Sequence, residues 1–314
     1  MRGEGCRSPA HRQRGVALIT AMLVLALATI LAVSMTRDQE LAIRRGENLR
    51  NAEQAWQYAL GLEAVARKRL HEDQVSGGAT DNTNENWAAR LPPLPVPGGV
   101  LTGKIADLDG RFNLNTLAPG APGRDLALAR FQRLLAVLGL DPGLTNAVED
   151  WLDPDLEARS GGAEDYFYSG LQPPYRTGNR LFADASELRL VMGVDSDAWS
   201  RLERFVTALP DVATAINVNT APPPVLQSLA DGLSRRDAEA LARRGRAGFG
   251  TVEDFLSSEP MRPFAVPRQG LAVSSHFFRA HGVVELDGDV FHFYSLIRRD
   301  RDGLAVLRRS RGVP

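Results

Sequence analysis

The strongest constraint in this sequence is an apolar run, VALITAMLVLALATILAVSM, from Val16 to Met35. Only Thr20, Thr29 and Ser34 bring polar groups into it. A helix needs ~20 mostly apolar residues to cross a bilayer. Arg12 and Arg14 precede the run, and Gly15 separates them from it. Positive charge before a span keeps the N-terminus in the cytoplasm and puts the C-terminal bulk outside.

An ordinary secretory signal has its small-residue cleavage site after the apolar core. Here the small residue, Gly15, lies before it. A cut after Gly15 removes a short basic leader and makes Val16 the new N-terminus of a hydrophobic helix. This arrangement resembles the prepilin leader of type IV pilins and type II secretion pseudopilins. A plain single-pass anchor with a basic cytoplasmic tail has the same topology.

Composition narrows the function classes. The 314 residues carry 37 basic and 38 acidic side chains. Arg2, Arg7, Arg12 and Arg14 leave with the leader, as does Glu4, so 33 basic and 37 acidic groups remain. A general nucleic-acid binder would show a basic excess instead. The single cysteine, Cys6, falls in the expected leader, so the processed chain has no disulfide and no thiolate metal site. His11, His71, His276, His281 and His292 show no close pair with metal-ligand spacing, which argues against zinc.

Beyond Met35 a helical pattern continues. Ala52, Ala55, Trp56, Ala59, Leu62, Ala66 and Leu70 recur at spacings of three and four, one stripe of an amphipathic helix. No proline falls between residues 10 and 91. One helix from Val16 to about His71 would be ~85 Å long at 1.5 Å per residue; a break near Gly46 is the alternative. Residues 74 to 99, rich in Gly, Asn, Thr and Pro, read as a loop. GVLTGKIADLDGRFNLN reads as two short strands about an Asp109-Gly110 hairpin turn. Residues 123 to 209 read as helical, with a Thr/Asn cap signal opening TNAVEDWLD. A second helical unit opens at INVNTAPPPVLQSLA, with Thr220 as N-cap before first-turn prolines. Short helices about the GRAGFG turn resemble a SAM-like or helix-hairpin-helix module. From Ser274 three strands follow, separated by Asp287-Gly288 and Asp302-Gly303 turns. The last strands can pair with those near residues 100 to 113, which makes the helical part an insertion into one α+β domain.

One loop carries Asp150, Asp153, Asp155, Glu157, Glu164 and Asp165, with Gly161-Gly162 for tight turning. Clustered carboxylates repel unless a cation neutralises them, and calcium takes 6–8 oxygen ligands. Counted from Asp153, carboxylates fall at positions 1, 3, 5 and 12, a partial EF-hand match. Ala158 stands where that motif needs glycine, so no EF-hand is assigned. The residues alone leave open a solvated acidic loop without metal. The asparagine pairs Asn113/Asn115 and Asn217/Asn219 suit backbone-bonding turns that tie the inserts to the strands.

GRFNLNTL (110–117), VEDWLDPD with GAEDYFY (148–168), SELRLVMGV (186–194) and INVNTAPPPVL (216–226), together with the RQRGVALIT leader, resemble the K-class minor pseudopilins of type II secretion. The resemblance implies an α+β fold. A pilin-like long N-terminal helix packs on a small antiparallel sheet, with a large all-helical insertion. The expected divisions begin with the leader at 1–15 and the transmembrane helix at 16–35. Stem helix and first strands then occupy 36–112, and the first helical insert with its acidic loop 113–215. The second insert occupies 216–273 and the closing strands 274–314.

The resemblance also implies a non-enzymatic role at the pseudopilus tip and in initiating its assembly. The implied partners are the I- and J-class minor pseudopilins, the other pseudopilins of the filament, and a prepilin peptidase that cuts after Gly15 and methylates Val16. The implied location is the bacterial inner membrane with a periplasmic bulk. Structural calcium is implied on the acidic loop, with Asp153, Asp155, Glu164 and Asp165 as ligands and Asp150 less certain. Thr20 stands where most pilins carry a glutamate thought to neutralise a neighbour's N-terminus. A tip subunit has no neighbour above it, and an unpaired carboxylate in hydrocarbon is costly. Alternatively, the Thr20 hydroxyl simply bonds back to its own helix.

Two competitors are a minor pilin of a type IV pilus or competence system, and a membrane-anchored DNA binder. The second would use residues 217–257 with Arg235, Arg236, Arg243, Arg244 and Arg246. The near-neutral charge and external topology count against nucleic acid. No P-loop, HExxH or GxSxG motif suggests an enzyme.

Overall fold

The structure is a computed structural model describing residues 13–313, with side chains from Val16 to Val313. The expected leader residues 1–12 lie outside the described residues. Helix α1, Gln13–Ser76, is continuous through Gly46, as the absence of proline predicts. The chain forms two compact units, one up to Gln57 and one from Tyr58 onward.

In the first unit the side chains of Val16 to Leu49 are exposed. The polar groups of the apolar run are satisfied by their own helix. Thr20, Thr29, Ser34 and Thr36 hydroxyls donate to carbonyls three or four residues earlier, Thr20 to Ala17 at 3.0 Å. Such back-bonding removes most of the cost of a hydroxyl in hydrocarbon. Among the described residues, this is the one helix long and apolar enough to cross a membrane.

The second unit is built on a five-stranded antiparallel sheet, ordered β1-β2-β7-β8-β9. Its strands are β1 Leu91–Val96, β2 Gly99–Asp107, β7 Phe277–Leu286, β8 Asp289–Asp300 and β9 Gly303–Arg311. Residues 91–96, read from sequence as loop, are the edge strand β1. Pro92, Pro93 and Pro95 donate no ladder bond, which an edge strand tolerates. The β1–β2 hairpin turns at Pro97-Gly98, where Gly98 has φ +83°. The β7–β8 turn has positive φ at Asp287 and Gly288, the I′ pattern expected there. The final turns of α1 cover one sheet face through Ala66 and Leu70, packed with Trp87, Ile105, Phe278 and Ile297. Glu63 anchors this contact. It accepts from Ser295 Oγ at 2.6 Å and pairs with Arg309 Nε at 2.7 Å.

The expected Asp109-Gly110 hairpin does not form. Strand β2 ends at Asp107, whose Oδ1 accepts the Asp109 backbone N–H at 2.8 Å. Asp109 Oδ2 then accepts the N–H groups of His276 and Phe277. The chain leaves the sheet here. Strand β3, Phe112–Asn113, pairs in parallel with β4, Val206–Thr207. Everything between β2 and β7 is inserted between two neighbouring strands of one sheet, as expected.

The inserted part holds two blocks. The first contains α2 Arg124–Val137, α3 Leu144–Leu152, α4 Asp165–Ser169 and α5 Ser196–Leu202. The second opens at β5, Ile216–Asn217, paired in parallel with β6, Leu271–Ala272. It holds α6 Pro223–Gln227, α7 Arg235–Gly245 and α8 Val252–Leu256. Helices α2, α3, α6 and α7 and residues between them share one apolar core. Two expected caps are absent. Helix α3 starts after Gly143 with no side-chain cap, and Thr145 is buried inside it. Thr220 does not cap α6, because its hydroxyl is drawn to Asp107 Oδ2.

Candidate functional site

The acidic loop follows directly from α3. That helix carries Glu149 and Asp150 on its buried side and ends at Asp153, where the backbone becomes extended. The loop then folds back. Arg159 Nη1 reaches Asp150 Oδ1 at 2.6 Å and also bonds Asp153 Oδ2. The Arg159 backbone N–H donates to Asp150 Oδ2 at 3.1 Å. Glycine is required at 162, because a Cβ there would lie 1.9 Å from Asp150 Oδ2. Gly161, at φ +78°, makes the preceding turn. From α2, Arg124 pairs with Glu149.

Beneath the loop an aromatic cluster fixes its ends. Trp151 meets Tyr168 edge-on, with centroids 5.4 Å apart, and stacks near Phe182 at 6.3 Å. Tyr168 accepts the Met192 N–H through its hydroxyl at 3.1 Å. The turn that closes the loop is thus tied to the helix that opens it.

Three of the four expected ligands converge. Asp153, Asp155 and Glu164 each place a carboxylate oxygen within 4.8 Å of the others. Asp153 and Glu164 are buried, while Asp155 is exposed. Both Glu164 oxygens and Asp153 Oδ1 are buried without a hydrogen-bond partner. Asp165 stands outside this group. Its Oδ1 accepts the N–H and hydroxyl of Thr177, at 3.0 and 2.8 Å. Asp150 is likewise committed, to Arg159. Burial, and then the charges of Asp150 and Asp153, push the Glu164 carboxyl up to about 7. Burial opposes the Arg159 charge, but its bonds to Asp150 and Asp153 outweigh this and hold it above the usual arginine range. The sequence reading missed Arg159 and Thr177, since nothing in local spacing says which charge folds back.

This donor set fits a hard divalent cation. Carboxylates are its only side-chain ligand type, and oxygens that lack any donor are what calcium takes up. Among the described residues, Glu149, Asp150, Asp153, Asp155 and Glu164 pair only with Arg124 and Arg159, so negative charge remains in excess.

The asparagine pairs act as expected, and more symmetrically. Asn115 Nδ2 donates to the Phe182 and Leu209 carbonyls, and its Oδ1 accepts the Phe182 N–H. Asn219 Nδ2 donates to the Phe249 and Val273 carbonyls, and its Oδ1 accepts the Phe249 N–H. Each phenylalanine is followed two residues later by a capping box, Asp184 with Glu187 and Thr251 with Asp254. The two blocks therefore repeat one local plan. Asn217 joins the second block to the sheet, donating to Asp81 O, Asp107 Oδ2 and Ser275 Oγ.

A second set of acids lies at that junction. Asp73 and Asp81 both bind Arg299, which sits over the Phe278 ring at 4.6 Å. Burial, and then the charge of Asp107, push the Asp109 carboxyl up to about 8. Asp109 Oδ1 is buried without a partner. The histidine reading needs correction. The β7–β8 register brings His281 Nε2 within 3.2 Å of His292 Nδ1, a proximity that separation in sequence concealed. No third metal-ligating group joins them among the described residues.

Two family models, both described as type II secretion system protein K, match residues 110–211 and 216–274. The type II secretion system protein K of Pseudomonas aeruginosa is 37% identical over 312 residues, 96% of this chain and 93% of that protein. The Aeromonas hydrophila protein of the same name is 34% identical over 324 residues, 96% of this chain and 98% of its own. The structure also matches a chain in the crystal structure of the GspK-GspI-GspJ complex of the enterotoxigenic Escherichia coli type 2 secretion system. That match has a TM-score of 0.77 and 25% identity, and covers 86% of this chain and all of the other. The long helix, the antiparallel sheet and the helical insertion belong together as one inherited architecture, and the chain belongs to the type II secretion system protein K family of minor pseudopilins.

Proposed function

We propose that this protein is the tip subunit of a type II secretion pseudopilus and initiates its assembly together with I- and J-class minor pseudopilins. The observation that carries this reading is the match to a chain crystallised with those two partners. The apolar helix anchors the protein in the inner membrane before assembly and packs among the other pseudopilins afterwards. Arg12 and Arg14 hold the N-terminus in the cytoplasm, and the second unit lies in the periplasm. A prepilin peptidase cuts after Gly15 and methylates Val16. Thr20 leaves no unpaired carboxylate in the membrane, which suits a subunit without a neighbour above it. The role is mechanical rather than enzymatic. Nothing specific favours the type IV pilus alternative.

Calcium would be held by Asp153, Asp155 and Glu164, with Asp165 and Asp150 behind them. The orphaned oxygens of Glu164 and Asp153 support this assignment. Its contribution is to neutralise the loop and order the first block.

The test is co-purification of the full-length chain in detergent with I- and J-class pseudopilins, with calcium and with chelator. A stoichiometric ternary complex with calcium, weakened by chelator, is expected. No complex under either condition would overturn the tip assignment. A complex indifferent to chelator would remove calcium from it.

A further inference from the structure

A cavity of about 420 Å³ opens between the sheet face turned away from α1 and the end of the first block. Strand alternation sets its floor. On β7 and β8, Phe278, Ala280, Phe293 and Ile297 are buried, while Arg279, Tyr294 and Leu296 stand half-buried on the opposite side. Arg111, Trp199 and Arg204 line the facing wall, joined by Arg189 and Arg308.

The charge balance here is unlike that of the chain. Five arginines face Asp184 and Glu203 in a protein whose net charge is −1. Arg308 takes Asp184 for itself, at 2.5 Å. Arg111 reaches only the Glu203 backbone carbonyl, at 3.3 Å. Arg279 lies near the Tyr294 ring at 5.8 Å. Among the described residues, none of Arg111, Arg189, Arg204 or Arg279 has a carboxylate oxygen within 4.0 Å. Burial, and then the neighbouring Arg279 charge, push the Arg111 guanidinium down to about 10.

Arg111 and Arg279 are half-buried, repel one another and make no direct ion pair, which is costly. An anion in the cavity would reverse that cost, and the arginine fork matches a carboxylate with two parallel hydrogen bonds. The walls are also apolar, lined by Trp199, Leu296 and the buried Leu108. A bare inorganic anion would gain nothing from them. The volume sits near the lower end for small-ligand sites, which run from ~300 to ~1,000 Å³, and admits a few side chains rather than a folded domain. We propose that this cavity is a carboxylate-binding site that receives an acidic segment of another polypeptide, an Asp or Glu flanked by an apolar residue.

The test is calorimetry on the full-length protein in detergent with the blocked peptide acetyl-Leu-Asp-Glu-Leu-amide, its Asn-Gln isostere and inorganic phosphate. The acidic peptide is expected to bind at least ~10-fold more tightly than the isostere, and more tightly than phosphate, with affinity falling as salt rises. Arg279→Gln should weaken it about tenfold. The exposed Arg204→Gln and Arg189→Gln variants, which leave packing untouched, should weaken it several-fold if Arg279→Gln fails to fold. Equal binding of peptide and isostere, binding of phosphate alone, or no binding at about 10 mM peptide would overturn the proposal.

Discussion

The two helical blocks start alike and are completed differently. Asn113-Leu-Asn-Thr opens the first and Asn217-Val-Asn-Thr the second, each from one strand of a short parallel pair. In both, the second asparagine clamps a phenylalanine backbone just ahead of a capping box. The second block then closes on protein groups alone. Ser234 caps α7, Thr251 caps α8, and Arg244 lies over Phe249 at 4.9 Å. The first block encloses an extra irregular loop whose buried carboxylates Glu164 and Asp153 keep oxygens without donors. The same plan is self-sufficient where helices follow one another directly. Where a charged loop is let in, buried carboxylate oxygens are left that the protein's own donors do not reach.

The comparison can be broken at its shared part first. Asn115→Ala removes three buried bonds and leaves the Phe182 N–H and two carbonyls unsatisfied. It should cost about 4 kcal/mol, and Asn219→Ala a similar amount, measured by denaturant unfolding. A loss confined to one of them would mean the blocks are not equivalent.

Next in size is removal of the ion. A ligand present at 100 times its Kd stabilises by ~2.7 kcal/mol. Chelation should therefore lower the Tm by roughly 5–10 °C, read by calorimetry. Glu164→Gln sharpens this. It should lose most of that calcium effect, about 2 kcal/mol, and melt no lower than the parent in chelator, because a buried charge has been removed.

The smaller effect concerns the junction acids, where the protein supplies most donors itself. The Asp109 carboxyl is raised to about 8 in the folded state, so folding favours its protonated form. Its contribution is fully present below the ordinary carboxylate range and is lost as pH rises through about 8. Asp109→Asn should flatten that decline and gain about 2 kcal/mol near pH 8, read from unfolding curves across pH.

Much of this architecture was legible in the sequence because its signals are local. The apolar run, the proline-free helix, the Asp287-Gly288 turn and the turns in which Asn113 and Asn217 accept the N–H two residues on each act within a few residues. The failures share the opposite cause. Residues 91–96 became a strand only because β2 offered an edge that accepts three prolines. Asp109-Gly110 lost its hairpin because Asp109 is claimed by His276 and Phe277, more than 160 positions away. The metal candidates were legible as a cluster, but their sorting was not. Thr177 claims Asp165 through the fold, and Arg159 occupies both oxygens of Asp150 but only one of Asp153. One overlooked signal was present: a buried phenylalanine with a capping box at fixed spacing recurs at 182–188 and 249–255.

The most direct measurement is amide hydrogen exchange on the full-length protein in detergent, with calcium and with chelator. The account predicts that chelation strips protection from about residues 149–182 and leaves 216–273 unchanged. Equal loss in both blocks, or no loss in either, would contradict it.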